Sequence, residues 1–158
     1  MKLVTLLLLT LICASHAAAA PTVSGHAALA LAALVGEVSP FLSAPNKRVL
    51  AKLLDGKANF SFPSGRTISV VTEMLSCRAS NVDIKSHSCE LRFEEHNVVL
   101  RGRRAHELFA TVTEVGVPPE GAAGSIFAAL SNLHCTIDPN EVKQNSGGGA
   151  QCDYASPD

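Results

Sequence analysis

The sequence predicts an exported α+β domain, in which a small antiparallel sheet of three to four strands packs against helices and two disulfides stabilise the fold. Three observations lead to this prediction. An apolar leader precedes the rest of the chain, an even number of cysteines follows that leader, and helical and strand periodicities occur in separate segments.

The N-terminus has the three parts of a secretory signal peptide. Lys2 supplies a positive charge, Leu3–Ala14 is an apolar run, and small residues follow it. This run is shorter than the roughly 20 residues that a membrane-spanning helix requires. The leader therefore predicts export to the periplasm or the extracellular medium, with no stable membrane span after cleavage.

The cleavage site is predicted from the small residues at the end of the leader. Pro21 disfavours a cut directly before it, so we expect cleavage after Ala17 or Ala19. Residues 1–19 are then the signal peptide and residues 20–158 a single domain. A lipoprotein site at Cys13 is the alternative, but Ile12 stands where a small residue is expected.

The cysteines indicate a disulfide framework. The chain has five, and removal of Cys13 with the leader leaves Cys77, Cys89, Cys135 and Cys152. An even number in an exported domain predicts two disulfides, for which three pairings exist. We expect Cys77–Cys89 and Cys135–Cys152, because each pair closes a short, turn-rich loop. The alternative, four thiolate ligands on zinc, lacks the Cys-x-x-Cys spacing of such sites.

Four segments have helical patterns. Gly25–Val35 is rich in alanine and leucine and forms either a core helix or an N-terminal arm. Ser43 can cap a second helix, which ends at Gly56. Ala105–Val115 carries an apolar stripe. Glu120–Leu133 contains many small residues, which predicts a helix that lies close to its neighbours.

The strands are predicted from β-branched residues and from alternation. Arg66–Cys77 is β-branched over much of its length, although a helix is an alternative there. Ser88–Phe93 alternates between polar and apolar residues, and Val98–Leu100 follows a tight turn. These three segments form a predicted meander. Cys135–Ile137 is the fourth predicted strand.

Composition and motifs favour binding over catalysis. The net charge is −1 and aromatic residues make up 4% of the chain, so the basic stripe with aromatics that is typical of nucleic-acid binders is missing. The sequence shows no Gly-x-Ser-x-Gly nucleophile elbow. The four cysteines after the leader are better explained as disulfides than as nucleophiles. We expect no cofactor and leave enzymatic activity open.

Three arginines form the clearest candidate binding site. Arg101, Arg103 and Arg104 precede the predicted helix at Ala105. Guanidinium groups bind phosphate and carboxylate through paired hydrogen bonds, and free amides at a helix start favour the same anions. The cluster therefore predicts a site for an anion or for a protein partner. The hairpin loop Ser80–Ser88 is a second candidate surface for a partner.

Histidines supply the alternative function. His87 and His96 could approach each other across neighbouring strands and bind a metal ion, with Asp83 or Glu94 as a further ligand. His106 lies at the start of the third helix and could do acid–base work. These histidines predict a small periplasmic hydrolase or metal-binding protein. The leading prediction remains a non-enzymatic binding or envelope-associated protein whose partner is a protein or a small anionic ligand.

Overall fold

The architecture comes from a computed structural model that describes residues 19–57, 66–121, 124–144 and 148–157. The predicted signal peptide, apart from Ala19, lies outside these residues. The described chain is α+β, with one antiparallel sheet and helices. The strands are β1 (Thr22–Ser24), β2 (Ile68–Ser80), β3 (Ser88–Phe93), β4 (His96–Arg101), β5 (Ser125–Ile137) and β6 (Ala150–Ala155). The α-helices are α1 (Gly25–Val38), α2 (Ala44–Leu54), α3 (Arg103–Glu114) and α4 (Pro139–Gln144).

The sheet is built around its two longest strands. Its order is β1-β6-β5-β2-β3-β4, and every neighbouring pair is antiparallel. β2 and β5 pair along their whole length, from Ile68 opposite Ile137 to Ser80 opposite Ser125. Helices α1 and α3 cover one face, here called the inner face, and the opposite face is the outer face.

In the middle of both central strands, β2 and β5, the alternation of buried and exposed side chains shifts by one residue. The buried side chains of β2 change parity there: Ile68, Val70 and Thr72 are buried before the change, and Leu75, Cys77 and Ala79 after it. β5 makes the matching change at Asn132, which has a φ of 49° and lies in a register shift against β6. The outer face beyond this bend therefore carries Ser76 and Arg78.

The two disulfides lie on the inner face and have the predicted pairing. Cys77 is opposite Cys89 on β2 and β3, and Cys135 is opposite Cys152 on β5 and β6, each with an S–S distance of 1.97 Å. All four are fully buried. Helices cover both: Cys89 Sγ lies 3.2 Å from the carbonyl oxygen of Ala105, and Cys152 Sγ lies 3.4 Å from that of Ala28.

The N-terminal helix belongs to the core. Seven residues of α1 are buried, namely Ala28, Leu29, Leu31, Ala32, Ala33, Val35 and Gly36. At Gly36 an added Cβ would lie 2.9 Å from a Leu42 methyl group and 3.0 Å from a Leu50 methyl group. α2 therefore packs closely on α1. Ser43 caps α2 as predicted, because its side chain accepts a hydrogen bond from the Asn46 amide.

Two predictions about the sheet were wrong. The sheet has six strands among the described residues, not three to four, because β1 and β6 extend it on one side. The predicted helix over Glu120–Leu133 is instead largely strand β5, whose end includes the predicted strand Cys135–Ile137. Its small residues do not line a helix surface; Ala128 lies opposite Cys77 in the sheet. β5 forms ladders with β2 and β6, and this pairing outweighs the helix propensity of alanine.

Candidate functional site

A row of side chains crosses the outer face of the sheet. Phe127, Arg78, Ser88 and Arg101 lie on β5, β2, β3 and β4, and each is directly opposite the next in the strand register. Residues paired in this way point to the same face. Arg78 and Arg101 are two strands apart, which places their Cα atoms about 10 Å from each other on either side of Ser88.

This row forms one wall of a shallow groove of about 400 Å³. We call it the arginine groove, and it is lined by Ser76, Arg78, Ser88, Cys89, Glu90, Val99, Arg101 and Phe127. Glu90 and Val99 are opposite each other one row further along the strands. Val99 is 50% exposed and Phe127 is 38% exposed, so the groove combines apolar surface with two cationic side chains.

In the part of the chain that the structure describes, the two groove arginines form no ion pair, whereas three other arginines do. Among the described residues, no carboxylate oxygen lies within 4.0 Å of the guanidinium nitrogens of Arg78 or Arg101. Three other arginines pair at 2.8–3.1 Å: Arg92 with Glu73, Arg103 with Glu107, and Arg104 with Glu37. The groove arginines can therefore donate to a ligand without first breaking a salt bridge.

The structure separates the predicted arginine cluster. Arg101 ends β4, and Gly102 reverses the chain with a φ of 62°. Arg103 and Arg104 begin α3 and pair with acidic side chains on α3 and α1. Arg101 instead shares the groove with Arg78, which the sequence reasoning missed. The predicted Cys77–Cys89 bridge contained the signal, because its register places Arg78 opposite Ser88.

The predicted histidine pair does not come together. His87 lies at one end of the β3–β4 hairpin, where its carbonyl accepts a hydrogen bond from the Gly102 amide. His96 lies at the other end, opposite Phe93, and its ring meets Phe41 edge-on at 5.6 Å between centroids. The two rings therefore lie at opposite ends of the hairpin and are not placed to bind one metal ion together, as the predicted site required.

His87 contacts a different histidine. Its Nδ1 lies 3.2 Å from Nδ1 of His106 on α3, and its Nε2 lies 3.0 Å from the carbonyl oxygen of Ser80. The His87 side chain is buried, whereas His106 is exposed. In the described ranges no group of three or more His, Cys, Asp or Glu side chains is arranged to hold a metal ion.

The loop that follows β2 contains the second candidate binding surface, Ser80–Ser88. Ile84–Ser86 forms a 3-10 turn capped by the Asp83 carboxylate, which accepts from the Lys85 amide. Val82 in this loop is 89% exposed. The loop therefore projects from the same end of the sheet as the arginine row, since Ser80 and Ser88 border both.

Comparison with protein-family models, with curated proteins and with solved structures gives no match. No helix in the described part of the chain is long and apolar enough to cross a membrane.

Proposed function

We propose that this chain is an exported, disulfide-stabilised, non-enzymatic binding domain that holds a small ligand in the arginine groove. The ligand carries an anionic group and an apolar body. The observation that carries this proposal is the row Arg78–Ser88–Arg101, in which two arginines that form no ion pair with any described residue flank a hydroxyl group. The two buried disulfides support export, because such bonds persist in oxidising compartments.

The anionic group of the ligand lies over Ser88. Guanidinium groups offer planar sets of donors that match carboxylate and phosphate oxygens, so Arg78 and Arg101 can each donate from one side. The Ser88 hydroxyl adds a donor between them. The apolar body of the ligand contacts Phe127, an exposed apolar side chain of the groove that lies directly opposite Arg78 in the strand register.

The groove chemistry favours binding over hydrolysis. A serine nucleophile needs a base within hydrogen-bond distance, and the base nearest in sequence to Ser88 is His87. Its two ring nitrogens already contact Ser80 and His106, so no nitrogen is left for the Ser88 hydroxyl. We therefore assign Ser76 and Ser88, the two serines that line the groove, to hydrogen bonding with the ligand.

Calorimetric titration with phenyl phosphate tests the proposal. Arg78→Ala and Arg101→Ala should each weaken binding about tenfold or more, equivalent to about 1.4 kcal/mol, because each removes a charge-assisted hydrogen bond. Arg92→Ala is the matched control, since Arg92 also lies on the sheet but is paired with Glu73. Raising the salt concentration should weaken binding to the unsubstituted protein.

Half-ligands separate the two parts of the site. Inorganic phosphate should lose affinity in the arginine variants but not in Phe127→Ala, whereas phenyl phosphate should lose affinity in all three. If phenyl phosphate does not bind, or binds equally well to the Arg92→Ala and Arg101→Ala proteins, the arginine groove is not an anion site.

A further inference from the structure

We propose that His87 and His106 form a two-nitrogen binding site for a divalent transition-metal ion of the Cu²⁺, Ni²⁺ and Zn²⁺ group. The site lies where the 3-10 turn leads into β3 and meets the first turn of α3. It shares no side chain with the arginine groove, so it stands or fails independently of the proposed anion site.

The hydrogen bonding of His87 fixes which nitrogen is available. Nε2 lies 3.0 Å from the Ser80 carbonyl oxygen. A carbonyl oxygen only accepts hydrogen bonds, so Nε2 carries the hydrogen, and the lone pair of Nδ1 in the neutral ring faces His106, where a metal ion can replace the hydrogen of the His106 ring. A ring N–H that donates to a backbone carbonyl is the usual support of a metal-binding histidine, because it fixes the tautomer and the ring orientation.

The distance between the two Nδ1 atoms suits one metal ion. Metal–nitrogen bonds of about 2.0–2.1 Å at angles between square and tetrahedral separate two ligand nitrogens by about 2.9–3.4 Å. The observed separation is 3.2 Å. The same distance accommodates an N–H···N hydrogen bond in the metal-free protein, with His106 as the donor. When the metal binds, the His106 proton moves to Nε2, so neutral rings release no net proton.

The surroundings hold one ring and leave the other accessible. His87 is buried against Phe109, whose ring lies edge-on at 6.4 Å between centroids. His106 is exposed on α3, which gives an ion a route to both nitrogens. Among the residues described, no third histidine, cysteine or carboxylate converges here, so water completes the coordination sphere. Imidazole pairs of this kind bind Cu²⁺ more tightly than Ni²⁺ or Zn²⁺.

Titration of the tag-free exported protein with Cu²⁺ tests the site. Calorimetry should show one saturable equivalent, and the electron paramagnetic resonance spectrum should show nitrogen hyperfine coupling. His106→Ala should abolish the saturable site or weaken it at least tenfold. His96→Ala is the matched control, because His96 is also exposed but lies at the far end of the hairpin, and it should bind Cu²⁺ as the unsubstituted protein does.

Two further measurements keep the test decisive. His106 is exposed, so His106→Ala should fold even if substitution of buried His87 does not. Ni²⁺ should raise the melting temperature of the unsubstituted and His96→Ala proteins but not of His106→Ala. Equal Cu²⁺ binding by His106→Ala and His96→Ala, or no saturable binding by the unsubstituted protein, would overturn the assignment. Arg101→Ala should leave metal binding unchanged.

Discussion

Removing one disulfide should lower the free energy of unfolding by about 3–5 kcal/mol for either bridge. The bridges close loops with sequence separations of 12 and 17 residues. Loop-closure entropy for such lengths amounts to about 3 kcal/mol at 25 °C, with only a few tenths of a kcal/mol between the two loops. The remainder of the loss is packing, because each cysteine is fully buried and alanine leaves a small cavity.

The assay is urea unfolding followed by circular dichroism. The Cys77→Ala/Cys89→Ala protein and the Cys135→Ala/Cys152→Ala protein avoid free thiols, and each should remain folded with a lower urea midpoint. Removing both bridges should cost about 6 kcal/mol or more, which approaches the whole stability of a typical domain. That protein should be largely unfolded without urea.

Reductant gives an independent control for the disulfide prediction. In the presence of a reducing agent the unsubstituted protein should lose stability, whereas the circular dichroism spectrum of the protein without either bridge, which is already largely unfolded, should not change. A loss below about 1 kcal/mol for either bridge would contradict the reasoning, because it would mean that the bridge does not restrict the unfolded chain.

Three further changes test charge, hydrogen bonding and packing. Glu90→Gln should strengthen phenyl phosphate binding about threefold at low salt, because a carboxylate about 7 Å from the anion in water repels it by about 0.6 kcal/mol. Glu95→Gln, at the far end of the hairpin, is the control in the same calorimetric titration. Tyr154→Phe should cost about 1–2 kcal/mol in urea unfolding, since the buried hydroxyl donates to the Val115 carbonyl at 2.8 Å. Leu130→Ala should cost about 2–5 kcal/mol because Leu130 is fully buried, whereas exposed Val71→Ala should change stability by less than about 0.5 kcal/mol.

Local signals in the sequence predicted much of the fold. The cap at Ser43 and the alternation in Ser88–Phe93 each depend on a few neighbouring residues, and the structure has both elements there. The bridge Cys77–Cys89 joins strands that are close in sequence, so short loops predicted its pairing. These features need no knowledge of the distant chain.

The errors came from long-range pairing. Ser125–Ile137 is a strand because β2 and β6 lie on both sides of it, and the local sequence of its first part, Ser125–Leu133, does not show those neighbours. β6 was missed for the same reason, since only its Cys152 hinted at a partner.

The candidate sites show the same division. Arg101 was singled out from the sequence, but its neighbour in the groove is Arg78, which the sheet register brings from another strand. The alternative prediction was that His87 and His96 could approach each other, but the hairpin register places them at opposite ends. The reversal of the chain at Gly102 brings His106 to His87 instead. Strand register therefore decides which arginine lies beside Arg101, and the direction of the chain after Gly102 decides which histidine contacts His87.

The most direct test of the central claim is a nuclear magnetic resonance titration that observes arginine side chains. Protein labelled with ¹⁵N, titrated with phenyl phosphate, reports each guanidinium Nε separately. We expect saturable shifts at Arg78 and Arg101 and none at Arg103 or Arg104, which remain paired with acidic side chains. Shifts confined to Arg103 and Arg104, or shifts at no arginine, would contradict binding in the arginine groove.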